Sequence, residues 1–281
     1  MPPEYRTRFA PSPTGFLHLG HACSALTAWD RAQAAGGSFL LRIEDIDRPR
    51  CRPEYERAIE EDLGWLGLSW PRPLRQSERL PEYRRAVDRL SATALTYPCR
   101  CTRGDIRAAL SAPQEGVAWG PDGLIYPGTC RGRTMAEAGP QDAIRLDMAR
   151  AVAHLPRTGF QENGPLQSGW HALDADYLVN GVGDVVLARR DIGTSYHIAV
   201  VVDDAAQGIT EVVRGADLFD ATVIHRLLQV LLGFPQPDYC HHPLVRDEAG
   251  KRLAKRDDAR AIRAYRAEGA SPDDIRRMAG L

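Results

Sequence analysis

Residues 8–21 read RFAPSPTGFLHLGH. Two prolines fix φ and withhold N–H donors, Gly15 and Gly20 let backbone approach a ligand closely, and His18 and His21 stand at the start of a helical pattern. That pattern consists of Leu19, Ala22, Leu26 and Trp29, and Gly36 and Gly37 stop it. A strand-like TRFAPS (7–12) precedes it, and SFLLRIED (38–45) follows as a buried strand. Strand, turn, helix, strand is a βαβ unit, which predicts a parallel sheet with a right-handed crossover. Ligands of such sheets collect at the carboxyl ends of the strands, beside helix N-termini whose dipoles favour phosphate. The quoted stretch has that position and the layout of a nucleotide site. Alone, H-x-G-H fits equally a proline-stiffened connection with two surface histidines.

The chain has 281 residues, enough for one large domain or two modest ones, and its 43% apolar and 26% charged content is that of a globular protein. It has no apolar run of the roughly eighteen residues a membrane span needs, and MPPEYRTRF lacks the order of a secretory signal, so the cytoplasm is the expected compartment. A formal net charge of −1 gives no whole-chain support for a polyanion partner. Six cysteines, with Cys99, Cys101 and Cys130 grouped and Cys23, Cys51 and Cys240 scattered, suit a metal clip better than a disulfide framework. Of the 36 basic residues only Lys251 and Lys255 are lysines, and both fall in one late loop. Arginine bias accounts for the arginines but not for this coincidence. A loop that swings onto phosphate needs a compact charge on a flexible stem.

Helices are expected at about 53–66, with Pro53 in first position, and at 78–95, separated by SWPRPLR (69–75). Residues 97–132 turn rich in Cys, Gly and Pro, with a short helix after the capping-box pattern TRGD (Thr102, Asp105), and resemble an inserted subdomain. Strand character returns in AIRLDM (143–148), DVVLARR (184–190), HIAVVVDD (197–204) and EVVRG (211–215). DATVIHRLLQVLLGF (220–234) reads as an amphipathic helix. A hairpin-like LVRDEAGKRLAKR (244–256) precedes two short helices, the second opened by Ser271, Pro272 and Asp274. The expected divisions are 1–96 and 136–245 as two halves of a catalytic domain, 97–135 as the insert, and 246–281 as the lysine loop and helical C-terminus.

The opening stretch, together with LLRIEDIDRPR (40–50), SYHIAVVVDDAAQGITEVVRGADL (195–218) and an HHPLV strand (241–245), closely resembles the glutamyl-tRNA synthetases, class I aminoacyl-tRNA synthetases with H-I-G-H and K-M-S-K-S motifs. Here the first motif is His18-Leu19-Gly20-His21, and the second is RLAKR (252–256), which departs from the family at Arg252 and Ala254. The implied fold is α/β: a Rossmann-like parallel sheet with helices on both faces, an inserted zinc-binding subdomain and a short C-terminal helical stem.

By this resemblance His18, Gly20, His21 and Lys255 handle ATP with Mg2+, and His18, His21 and Lys255 are the catalytic set. Chemistry asks for cations beside an acidic substrate and an anion for its ammonium, and Arg8, Arg214 and Glu44 supply both. The resemblance places Arg8 and Arg214 on glutamate carboxylate oxygens, Glu44 on its amino group, Ser12 and Ala10 in the pocket wall, and Tyr196 as a hydroxyl donor. The bland alternative pairs Glu44 and Asp45 with Arg42 and Arg48 only.

Cys99-x-Cys101 and Tyr126-x-x-x-Cys130 offer three thiolates and a phenol for a closed, structural Zn2+ site; three buried free cysteines are the alternative. The Tyr-x-x-x-Cys pair resembles that of shortened paralogues, the glutamyl-queuosine tRNA(Asp) synthetases. Only 26 residues follow Lys255, so no anticodon-binding domain is expected. The resemblance then implies glutamyl transfer from glutamyl-AMP to queuosine at the tRNA(Asp) wobble position. A truncated enzyme charging tRNA 3′ ends and a catalytically degenerate RNA-binding paralogue remain as alternatives. RNA would meet an arginine stripe on the insert and the C-terminal helices, with Arg100, Arg103, Arg107, Arg131 and Arg133 clustered by sequence, and a monomer is expected, since no heptad pattern is present.

Overall fold

The structure is a computed structural model that describes residues 4–110, 119–153, 155–246 and 260–281. Lys251, Arg252, Ala254 and Lys255 lie outside the described residues.

The predicted βαβ unit forms from β1 (Arg6–Phe9), α1 (Leu19–Ala34) and β2 (Ser38–Ile43). β1 and β2 run parallel with Arg8 opposite Leu40. Alternation along β1 sends neighbours to opposite faces: the Thr7 hydroxyl donates to Ala28 of α1, whereas Arg8 reaches Asp204 on the other side. α2 (Pro53–Trp65) starts on its proline and leads to β3 (Leu74–Arg75), parallel to β2. α3 (Leu80–Ala92) follows.

Three strands then make a separate antiparallel sheet: β4 (Thr96–Cys99) pairs with β7 (Ala143–Leu146), which pairs with β10 (Val186–Ala188). Between β4 and β7 lie α4 (Arg103–Leu110) and a small hairpin, β5 (Trp119–Gly120) with β6 (Gly123–Leu124). α4 opens on the expected box: Asp105 Oδ2 accepts from Thr102 N at 2.7 Å, and Thr102 Oγ1 accepts from Asp105 N at 3.2 Å. After α5 (Met148–Val152) come β8 (Gly159–Glu162) and β9 (Gly169–Ala172), an antiparallel pair, then α6 (Ala175–Tyr177).

HIAVVVDD is not a strand. It forms α7 (Tyr196–Ala206), whose Ser195 cap accepts from Ile198 N. His197 through Asp204 are all buried, and a helix enclosed on every side shows no 3.6-residue period, so its β-branched run imitates a buried strand. β11 (Glu211–Gly215) follows, then α8 (Thr222–Leu232), whose Gly233 adopts the left-handed C-terminal conformation at φ 64°. β12 (Asp238–His242) is shifted from the expected HHPLV strand and ends before Pro243, which has no N–H for a ladder. β11, β12 and β8 run parallel, and Thr210 N donates to Arg6 O, setting β11 beside β1.

α9 (Ile262–Ala267) and α10 (Pro272–Met278) close the chain, the latter with the anticipated Ser271–Asp274 capping box. Their Ile262 and Ile275 are fully buried in a core with Leu19, Ala22 and Leu26 of α1, Phe39 and Leu41 of β2, and Ile59 and Leu63 of α2. A second core joins α3, α7 and α8. No helix among the described residues is long and apolar enough to cross a membrane.

Candidate active site

A cavity of about 350 Å³ opens at the carboxyl ends of β1, β2, β11 and β12. Its lining contains Arg8, Ala10, Ser12, His18, Gly20, His21, Glu44, Tyr196 and Arg214. Residues distant in sequence thus meet at one opening. The proline-rich turn is pinned there through its carbonyls: Pro11 O accepts from Glu44 N and Pro13 O from Arg52 N, both at 3.0 Å. Prolines can offer only acceptors, and the residue after β2 and the one that caps α2 supply the donors.

At the head of α1 the two motif histidines cap the helix. His18 Nδ1 accepts from Gly20 N, and His21 Nδ1 accepts from His18 N, each at 3.1 Å. A ring whose Nδ1 accepts must carry its proton on Nε2 when neutral. Both histidines are therefore set as Nε2 donors, with ring centroids 3.8 Å apart at a helix N-terminus, where anions are favoured.

The other wall is built of buried charge. Arg8 presents Nε and Nη2 to Asp204 (2.9 and 3.4 Å) and Nη1 to Val213 O, while Arg42 donates to the same Asp204 at 2.6 Å. Arg42 also lies 3.4 Å from Glu44. Arg214 is held by His241, His225 and Thr222. A guanidinium has five N–H donors, so three on Arg8 and three on Arg214 are engaged within the protein, and each keeps two for a ligand. Of the charged residues that line the cavity, Arg8 and Arg214 stand against Glu44 and Asp217, and behind them Asp204 is shared by Arg8 and Arg42.

Asp204 is affected most by burial, yet Arg8 and Arg42 overcome it and hold its pKa at about 2. For Glu44 burial prevails over the same two arginines, with Asp204 and Asp203 adding repulsion, and the pKa rises to about 6. Burial also raises that of the Tyr196 phenol, leaving it a neutral donor with no hydrogen-bond partner among the described residues.

The described residues flanking the lysine loop also border this cavity. Val245 lines it, and beyond the loop Ala261 pairs with His18 in an antiparallel bridge, with Ile262 N donating to Leu17 O at 2.8 Å.

The three grouped thiols converge at the end of β4. Cys99, Cys101 and Cys130 Sγ lie within 4.8 Å of one another, and Cys101 and Cys130 are 3.6 Å apart. The Tyr126 hydroxyl sits 3.3 Å from both Cys99 and Cys101. Bonds of about 2.3 Å to zinc in a tetrahedron require sulfur–sulfur edges of just under about 4 Å, so the donor set and spacing fit that ion. Burial opposes the Cys130 thiolate, but hydrogen bonds from Tyr126, the Arg100 backbone and the other two cysteines lower its pKa to about 7.

The catalytic-domain model of class I tRNA synthetases (E and Q) matches residues 4–120 and 172–281. A glutamyl-Q tRNA(Asp) synthetase of Rhodobacter capsulatus is 60% identical over 98% of this chain and 99% of its own. The chain belongs to the glutamyl-Q tRNA(Asp) synthetase family. Its relative from Nitratidesulfovibrio vulgaris is 42% identical, over 96% of this chain and 83% of its own length. Among solved structures, the glutamate-tRNA synthetase of Elizabethkingia anophelis superposes with a TM-score of 0.79 at 28% identity. The match covers 99% of this chain and 61% of that one, so the chain spans about three-fifths of that synthetase. A Mycobacterium tuberculosis methionyl-tRNA synthetase, 12% identical with a TM-score of 0.65 over 99% of this chain and 64% of its own, shares the class I fold.

Within this glutamyl-Q synthetase family member, Asp204, His225 and His241 hold the pocket arginines without any local sequence signal for that role, whereas Arg42 does lie beside Glu44 at 3.4 Å. The doubled aspartate of VVDD was visible, but its reach to Arg8 crosses 196 positions, and no local pattern announces such a contact. Asp45 turns away from the arginines and caps Ser77, accepting from its N at 2.8 Å and its hydroxyl at 2.6 Å. Two arginines expected to meet RNA pair with the protein's own carboxylates: Arg131, still exposed, with buried Asp184, and Arg133 with Asp142, both at 2.9 Å.

Proposed function

We propose that this protein activates L-glutamate with ATP to glutamyl-AMP and transfers the glutamyl group to queuosine at the wobble position of tRNA(Asp). The observation that carries this reading is the single cavity: an arginine-lined pocket for an acidic amino acid opens onto the two capping histidines at a helix N-terminus. The names of the relatives at 40–60% identity support the acceptor.

In the first step a glutamate α-carboxylate oxygen attacks the α-phosphorus, and pyrophosphate leaves. In the second a queuosine hydroxyl attacks the acyl carbon, and AMP leaves. Arg8, Arg214 and the Tyr196 hydroxyl hold substrate carboxylate oxygens, Glu44 takes the ammonium, and Ala10 and Ser12 shape the wall. His18 and His21 donate Nε2–H toward the phosphates, Gly20 lets them approach, and Lys255, between anchors that border the cavity, meets the charge that develops on them. Mg2+ bound with ATP would neutralise part of the triphosphate charge. Positioning and electrostatics suffice, without a covalent enzyme intermediate.

Zn2+ held by Cys99, Cys101, Tyr126 and Cys130 would lock the insert (97–135) between the halves 1–96 and 136–245, and 246–281 carries the lysine loop and C-terminal helices. With four protein donors the ion has a structural role. We assign a monomer.

The test is labelled glutamate with ATP and tRNA(Asp), either containing queuosine or unmodified, each also shortened at its 3′ end. Label on queuosine-bearing RNA irrespective of the 3′ end is the expected result. Label that depends on the 3′ end, or none, overturns the assignment.

A further inference from the structure

Arg214 belongs to a buried chain of hydrogen bonds that runs from the cavity to the protein surface. Its Nη1 lies 3.0 Å from His225 Nδ1, His225 Nε2 lies 3.1 Å from His197 Nδ1, and His197 Nε2 lies 3.1 Å from Asp122 Oδ1. On its other side Arg214 Nε donates to His241 Nε2 at 3.0 Å, and His241 Nδ1 meets Glu162 at 2.5 Å. All three imidazoles and Glu162 are buried, and Asp122 alone is exposed, on the turn of the β5–β6 hairpin.

Donor rules fix every proton in this chain. Arginine can only donate, so His225 Nδ1 and His241 Nε2 must accept. Neutral His225 then carries its proton on Nε2 and gives that bond to His197 Nδ1. His197 in turn has Nε2–H for Asp122, and His241 has Nδ1–H for Glu162. The network has one self-consistent direction, with a carboxylate at each end. Burial and the Arg214 charge, which push the His225 pKa well below its ordinary value, agree with a neutral ring.

We propose that His225 and His197, closed by Asp122, are positioning residues for Arg214: a relay that holds the guanidinium in register with the substrate carboxylate and ties that register to the surface hairpin. This rests on the reading that Arg214 binds glutamate. None of the three lines the cavity, so each acts through Arg214. Cutting the far end leaves the His197 Nε2–H without its acceptor and loosens the proton order that makes His225 Nδ1 an acceptor for Arg214.

Glutamate-dependent pyrophosphate exchange tests this, together with 15N NMR of histidine-labelled protein. Asp122→Ala, at the surface, should raise KM for glutamate about fivefold, the weight of one hydrogen bond, with kcat and KM for ATP unchanged. His225→Phe should raise it more than about tenfold. His225→Gln should stay within about twofold of the native value, because the amide oxygen accepts from Arg214 and its NH2 donates to His197. NMR should show His225 and His197 protonated on Nε2 and His241 on Nδ1. The opposite tautomer on His225 or His241, or an Asp122→Ala protein with native KM, overturns the relay. Arg214→Ala separates the two ideas. If it abolishes glutamate dependence while Asp122→Ala is silent, only the relay fails; if it leaves KM unchanged, the reading of the pocket fails and the relay with it.

Discussion

Arg8 and Arg42, on neighbouring parallel strands, share one buried carboxylate: Asp204 accepts from Arg8 Nε at 2.9 Å and from Arg42 Nη1 at 2.6 Å. Removing it would leave Arg8 without a counter-ion and Arg42 with only Glu44, 3.4 Å away. Asp204→Asn should destabilise the protein by about 3–5 kcal/mol and raise KM for glutamate strongly, as measured by denaturant unfolding and pyrophosphate exchange. Because the folded-state pKa is depressed to about 2, this carboxylate stabilises fully above the unfolded value near 4. That stability is lost as pH falls toward 2, and melting curves of native and Asp204→Asn proteins should converge there.

Glu44 titrates the other way. Its pKa of about 6 means that folding favours the protonated form, so this group lowers stability as pH rises from the unfolded value through 6. Ammonium binding needs the ionised form. KM for glutamate should therefore fall as pH climbs through about 6, and Glu44→Gln should show a high KM with no such step.

Lys255 is assigned to the developing phosphate charge and Lys251 is not. Lys255→Ala should lower kcat for pyrophosphate exchange by about 10²–10³-fold, the scale of one transition-state contact. The same change at Lys251 should cost less than about tenfold. Equal effects of the two substitutions would refute the assignment.

The thiol cluster predicts one equivalent of zinc per chain by metal analysis. Cys101→Ser should lose the metal, and chelation should lower the melting temperature by several degrees. KM for ATP should not change, since the cluster does not line the cavity.

Asp62 is buried in α2 with no hydrogen-bond partner for either carboxylate oxygen among the described residues, and burial lifts its pKa to about 6. The ionised form opposes folding above that pH. Asp62→Asn should raise the melting temperature at pH 8 and have little effect at pH 4.5.

Much of the site was legible because it lies in compact stretches. The prolines, glycines and histidines of residues 8–21 define a turn and a helix start by local rules, and Thr102–Asp105 and Ser271–Asp274 formed the capping boxes their spacing announced. HIAVVVDD misled for a definite reason: burial on all sides erases the periodicity that separates helix from strand.

The sequence by itself determined the βαβ opening, the helix that His18 and His21 cap, and the residue types an acidic substrate and a metal require, because each depends on backbone restriction or donor chemistry within a few positions. Only the tertiary structure decided what holds those residues. Asp204 joins Arg8 across 196 positions, and Arg214 takes its bearing from His225 on α8 and His241 on β12. Such contacts arise where strands and helices from separate parts of the chain converge. A buried charge must find its partner there, wherever in the sequence that partner lies.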